Sequence, residues 1–143
     1  MGWPEGLHAV ALYSGRPAST TAALKGGIDR QGEGVANIGA AARALIERWE
    51  TGSVPAVLEA LAQCERRFET LATFHPWLLP AEVRELKERI TRAGATPRVS
   101  GAGGGDCVLA WSEDPEVLAT LANENANVVV AQLPRELAKQ EVS

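Results

Sequence analysis

The run from Val99 to Cys107 reads Val-Ser-Gly-Ala-Gly-Gly-Gly-Asp-Cys, with four glycines in the five positions 101–105. Glycine loses more backbone freedom on folding than any other residue. Such density therefore marks a place where the chain takes positive φ angles, or where another main chain or a ligand comes close. The flanks, Thr96 to Val99 and Cys107 to Trp111, read as two short strands. Any fold for this chain must bring these strands together around a loop that is almost all backbone. Pro97 places the first of them at a sheet edge, because proline cannot donate to a ladder. Successive N–H groups of such a loop can converge on an anion, with the Ser100 hydroxyl as a further donor. A tight hairpin turn without a ligand is the alternative, although seven residues is long for one. No Gly-Lys-Ser/Thr ends the loop and no helix starts directly after it, so it is neither a Walker A loop nor a dinucleotide fingerprint.

The remaining elements follow from periodicity. Leu7 to Tyr13 is an apolar run interrupted only by His8 and ending at Ser14-Gly15, the length and setting of a buried strand. Ser19 or Thr20 caps a short helix toward Lys25, stopped by Gly26-Gly27. From Glu33 to Trp49 the apolar residues Val35, Ile38, Ala42, Leu45, Ile46 and Trp49 recur at helical spacing, with Gly34 and Gly39 weakening the start. Thr51-Gly52 breaks the chain. Ser53 then caps a second helix with Pro55 in its first turn and a stripe of Val54, Val57, Leu58, Leu61, Phe68 and Leu71. His75 to Pro80 is a proline-bounded connector whose large apolar residues fold onto the core. A third helix carries Val83, Leu86 and Ile90 and ends at Gly94. Asp114-Pro115 starts a fourth, Asn123 to Asn127 ends it, and Val128 to Leu133 is the last strand. The polar residues from Pro134 onward read as a frayed tail. This order predicts one α+β domain over residues 1–143, a small antiparallel sheet with helices packed on one face.

Composition narrows the function classes. A formal net charge of −4 excludes a nucleic-acid binder working through a global positive field, so any anionic ligand is held by local geometry. No apolar run approaches the length of a membrane span and the first residues lack a leader pattern, which predicts a cytoplasmic protein without membrane association. Cys64 and Cys107, the two cysteines, lack zinc or disulfide spacing and read as packed apolar groups; no metal site is expected.

The string Ser-Gly-Ala-Gly-Gly-Gly-Asp-Cys at 100–107, preceded by Gly94-Ala95, resembles the third conserved motif of the superfamily of galactokinases, homoserine kinases, mevalonate kinases and phosphomevalonate kinases. Its Asp106-Cys107 ending is similar to the phosphomevalonate kinases in particular. The upstream Tyr-Ser-Gly-Arg-Pro-Ala-Ser-Thr at 13–20 resembles the strand and substrate-proximal turn opening the second half of those enzymes. The resemblance covers nearly the whole chain and implies a ferredoxin-like carboxy-terminal domain closing over the cleft of a two-domain kinase. It implies that Ser100, Gly101 and Ala102 contact a phosphorylated substrate and that Gly103, Gly104 and Gly105 pack against the phosphate loop. Ser19, Thr20 and Arg98 are secondary candidates for substrate or phosphate binding, and Asp106 is expected to hold a loop N–H rather than a ligand. The serine-rich phosphate loop, catalytic aspartate and lysine of the amino-terminal half have no counterpart here. No catalytic residue is therefore assigned to this chain, and ATP and Mg2+ are expected only in the complete enzyme. The partners implied are that other half or a second copy of the chain, together with a phosphorylated small molecule. A non-catalytic metabolite-binding or protein-interaction module retaining the fold is the other reading.

Overall fold

A computed structural model describes residues 2–18, 28, 32–100 and 105–134. The sheet has four strands: β1 (His8–Tyr13), β2 (Thr96–Val99), β3 (Cys107–Ser112) and β4 (Val129–Leu133), in the order β2-β3-β1-β4. All three pairings are antiparallel. Among the described residues four α-helices join them: α1 (Glu33–Thr51), α2 (Val54–Phe74), α3 (Ala81–Arg92) and α4 (Pro115–Glu124). Short 3-10 turns span Pro76–Leu78 and Ala126–Val128. The helix expected after Ser19 lies outside the described residues.

Local chemistry sets the boundaries. Gly52 ends α1, its N–H bonding the Arg48 carbonyl at 2.7 Å, and Ser53 caps α2 by accepting the Ala56 N–H at 3.3 Å. The connection is two residues long, so α1 and α2 fold back as a hairpin. Gly34 serves that packing: a Cβ there stands 3.1 Å from Leu71 Cδ1, and its absence lets the helices close. Gly94 stops α3 at φ +93, and the Asp114 side chain caps α4 at the Glu116 N–H, 2.9 Å away.

Strand alternation then sorts the side chains. Val10, Leu12, Val99, Val108 and Ala110 point to one face and meet Val83, Leu86 and Ile90 of α3 and Leu118, Leu121 and Ala122 of α4. This is the helix layer expected on one face. The helical hairpin adds to it by covering part of the other face, where Ala9 and Trp111 pack with Val57, Leu61, Leu45 and Trp49. Trp3 stacks on Trp111 at 5.6 Å, and Trp49 meets both rings edge-on at 5.3 and 5.9 Å. The indole N–H groups of Trp3 and Trp49 donate to Leu7 O at 2.6 Å and Gly2 O at 2.7 Å, which ties the first described residues onto α1. The connector folds inward as expected, with Leu78 1% exposed. Ile46 departs from expectation at 50% exposed. The inward line of α1 runs through Ala41, Leu45 and Trp49 at four-residue spacing, and position 46 falls one residue past it.

Candidate functional site

The two motifs that stood out in the sequence are neighbours in space, because β1 and β3 pair over their full lengths with Tyr13 opposite Cys107. β1 runs out into the turn 14–18, with Gly15 at φ +87. There the Ser14 hydroxyl lies 3.2 Å from both the N–H and the carbonyl of Arg16. Opposite it, the end of the glycine-rich run feeds into β3 through Gly105 and Asp106.

Three hydrogen bonds join the two segments. Ser14 N–H donates to Asp106 O at 2.8 Å and Asp106 N–H donates to Arg16 O at 2.6 Å. Asp106 Oδ1 accepts the Ala18 N–H at 3.0 Å, across 88 residues of sequence. Asp106 adopts φ 60, a left-handed conformation that aspartate tolerates better than most side chains. Its carboxylate thus serves a loop N–H, as the sequence led us to expect. Gly105 is buried at φ 154, and a Cβ there stands 2.8 Å from Pro17 C and 2.9 Å from Ala18 N, closer still to Arg16 O. Glycine is therefore required at 105 by the approach of the chain's own turn.

The other foot of the loop is Ser100. Its N–H and its hydroxyl both reach the Cys107 carbonyl, at 3.1 and 2.9 Å. A hydroxyl has one proton, so it is engaged here; yet the carbonyl keeps the Ser100 N–H if the hydroxyl rotates away. Ser100 can accordingly turn its proton toward an incoming oxygen without leaving a buried acceptor unserved. Gly101, Ala102, Gly103, Gly104, Ser19 and Thr20 lie outside the described residues.

Arg98 has a carboxylate neighbour. Its guanidinium is 3.7 Å from Glu65 Oε1, and the same carboxylate lies 2.7 Å from Lys87 Nζ. Lys87 approaches as an ion pair, without hydrogen-bond alignment, and Glu69 adds a second carboxylate 3.5 Å away. Glu65 and Lys87 are 4% and 8% exposed. Loss of either charge leaves the other poorly compensated, at about 3–5 kcal/mol for a pair so buried. Both Glu65 oxygens also lie within reach of the Val99 N–H, at 3.2 and 3.3 Å. The sequence reading missed this pair. A signal was present: Glu65 falls in register with Leu61 and Phe68, and Lys87 with Val83 and Ile90, so each sits on a helical face otherwise apolar. Arg16 lies at the surface, 3.5 Å from Glu82, an exposed contact of small energetic weight.

The Cys64 thiol is pushed above its ordinary value, chiefly by burial, with Arg98 opposing and Glu65 adding to the shift. Cys107 is raised by burial and by the Asp106 charge beside it. Among the described residues no three His, Cys, Asp or Glu side chains gather as metal ligands, and no helix is long and apolar enough to cross a membrane.

The strand order, the helix layer and the paired turns define an α+β domain of ferredoxin-like form. Residues 54–131 match the family model described as GHMP kinases C terminal, and the chain belongs to that family. It is similar to the phosphomevalonate kinase of Streptococcus pneumoniae, with TM-score 0.72, 24% identity and 88% of this chain covered. The same enzyme in complex with phosphomevalonate and AMPPNP superposes with TM-score 0.68 at 25% identity, again over 88% of the chain. A Lin0012 protein from Listeria innocua matches with TM-score 0.71 at 20% identity over 88% of the chain. The chain spans 39% of the length of each Streptococcus chain and 38% of the Listeria one. No curated protein matches its sequence.

Proposed function

We propose that this chain is the carboxy-terminal half of an ATP-dependent small-molecule kinase of the phosphomevalonate kinase kind, which passes the γ-phosphoryl group of ATP to phosphomevalonate in the mevalonate route to isoprenoids. The observation that carries this reading is the joining of the 14–18 turn to the Gly105–Asp106 foot, with the Ser100 hydroxyl at the other foot on a carbonyl that does not depend on it. A releasable hydroxyl next to the glycine-rich run, at one end of the sheet, suits a phosphorylated molecule, which is recognised by N–H and O–H donors. Gly101 and Ala102, with Ser19 and Thr20, complete the proposed substrate contacts, and Gly103 and Gly104 the backbone that meets the phosphate loop. Arg98, part-exposed and 3.7 Å from Glu65, stays a secondary candidate for phosphate contact in this proposal.

Phosphoryl transfer rests on positioning and charge neutralisation around the migrating group. In this proposal the second wall, with ATP and Mg2+, comes from an amino-terminal half acting in the cytoplasm. The present chain shapes the acceptor side and contributes no catalytic residue. Mixing it with the amino-terminal half of a phosphomevalonate kinase is expected to give phosphomevalonate-dependent ADP formation. A complex shown by sedimentation to assemble, yet forming no ADP, refutes the proposal.

A further inference from the structure

On β2, residues 96, 98 and 100 turn their N–H side toward β3, as the Ser100 bond to Cys107 O shows, so positions 97 and 99 face outward. Position 97 is proline and has no N–H to satisfy. The one remaining outward donor, Val99 N–H, meets the Glu65 carboxylate delivered by α2. Val99 is the last residue of the strand, and Ser100 follows at once. The partner of that N–H therefore acts, together with the Ser100 N–H bond to Cys107 O, on the direction in which the main chain leaves the sheet.

We propose that Glu65 is a positioning residue for the Ser100 foot: its acceptor oxygen on Val99 N–H, rather than its charge pair with Lys87, sets where Ser100 presents its hydroxyl. The functional consequence rests on the kinase reading above; the positioning does not. Val99 is 6% exposed, so its N–H has no ready replacement in water once the carboxylate is gone. The opposite foot is held independently, by Asp106 and the 14–18 turn. A change at Glu65 is thus expected to move Ser100 while leaving Gly105 and Asp106 in place.

Replacement of both members of the pair by apolar groups of similar size separates the two roles, since a buried ion pair is often replaceable in this way at little cost to stability. The full chain is compared as Lys87→Met, Glu65→Met with Lys87→Met, and Glu65→Gln with Lys87→Met. The readouts are amide hydrogen exchange and amide chemical shifts, with the urea midpoint recorded for each.

Lys87→Met is expected to keep Val99 protected, apart from the global loss of stability that its urea midpoint records. The double methionine variant is expected to lose protection at Val99 by roughly ten- to a hundredfold beyond any global change, the measure of a lost hydrogen bond to a charged group. The Ser100 signal should shift in that variant while those of Gly105 and Asp106 stay. Glutamine restores an acceptor without a charge, and Val99 protection is expected to return. Should the double methionine variant fail to fold, Glu65→Asp gives the same local loss by drawing the carboxylate back one methylene.

Equal protection at Val99 in these variants, or failure of glutamine to restore it, overturns the proposal. In the mixed enzyme, Glu65→Asp is expected to raise KM for phosphomevalonate several-fold more than it lowers kcat. If the unaltered chain gives no ADP with any amino-terminal half, the kinase reading fails while the exchange result still decides the role of Glu65.

Discussion

Gly105→Ala is the sharpest perturbation that the structure offers, because the new methyl group meets only main chain. Its carbon is placed 2.8 Å from Pro17 C and 2.9 Å from Ala18 N, with Arg16 O nearer still, and none of these atoms ends a flexible side chain. Two costs combine, the φ of 154 and the overlap. Together they amount to about 2–5 kcal/mol for strain of this kind. For a chain of 143 residues, that corresponds to a melting temperature lower by roughly 5–15 °C. Gly94→Ala is the control, since Gly94 is also left-handed, at φ +93, but nothing lies within 4 Å of its added carbon. It carries only the conformational part, about 1–2 kcal/mol. Both variants are compared by urea unfolding, with the m-value checked for two-state behaviour. The reasoning is refuted if Gly105→Ala is no less stable than Gly94→Ala, because the turn then yields where the structure shows it fixed.

Asp106→Ala removes the Ala18 N–H acceptor and puts a less tolerant residue at φ 60; a loss of about 1–3 kcal/mol is expected, with Asp106→Asn losing less than half as much in the same urea titration. Raised thiol pKa values in Cys64 and Cys107 mean that the folded state holds these protons to higher pH than the unfolded chain. Their stabilising contribution is therefore fully present below the unfolded thiol value, about 8.5, and is lost as pH rises toward the folded value. Cys64→Val should flatten the alkaline decline in urea midpoint, and a decline of unchanged slope counts against burial as its cause.

Apolar periodicity and turn chemistry made much of this architecture legible. The four helices, the four strands and the edge position of Pro97 follow from local rules that the tertiary structure obeys. Asp106 could be assigned to a loop N–H because a carboxylate facing a phosphate repels it. Other features depend on atoms far apart in the sequence and have no local signature. Gly105 reads as one glycine among several, and only the arrival of residues 16–18 shows why a side chain cannot stand there. The Glu65 carboxylate beside Arg98 is likewise invisible locally, because α2 brings it there from a distant stretch of the chain. Ile46 was misplaced by a single helical step, since 3.6 residues per turn leaves neighbouring positions only 100° apart.

Three of the four tryptophans stand within 6 Å of one another, centre to centre. They come from the opening segment, α1 and β3, three stretches that no local rule would join. Light absorbed by one indole is shared with the others at such separations, so their emission answers as a unit. The molecule carries its own optical gauge of whether its first residues are seated on the hairpin. Undocking of Trp3 alone would unstack Trp111 and change that emission while the sheet beneath stays whole.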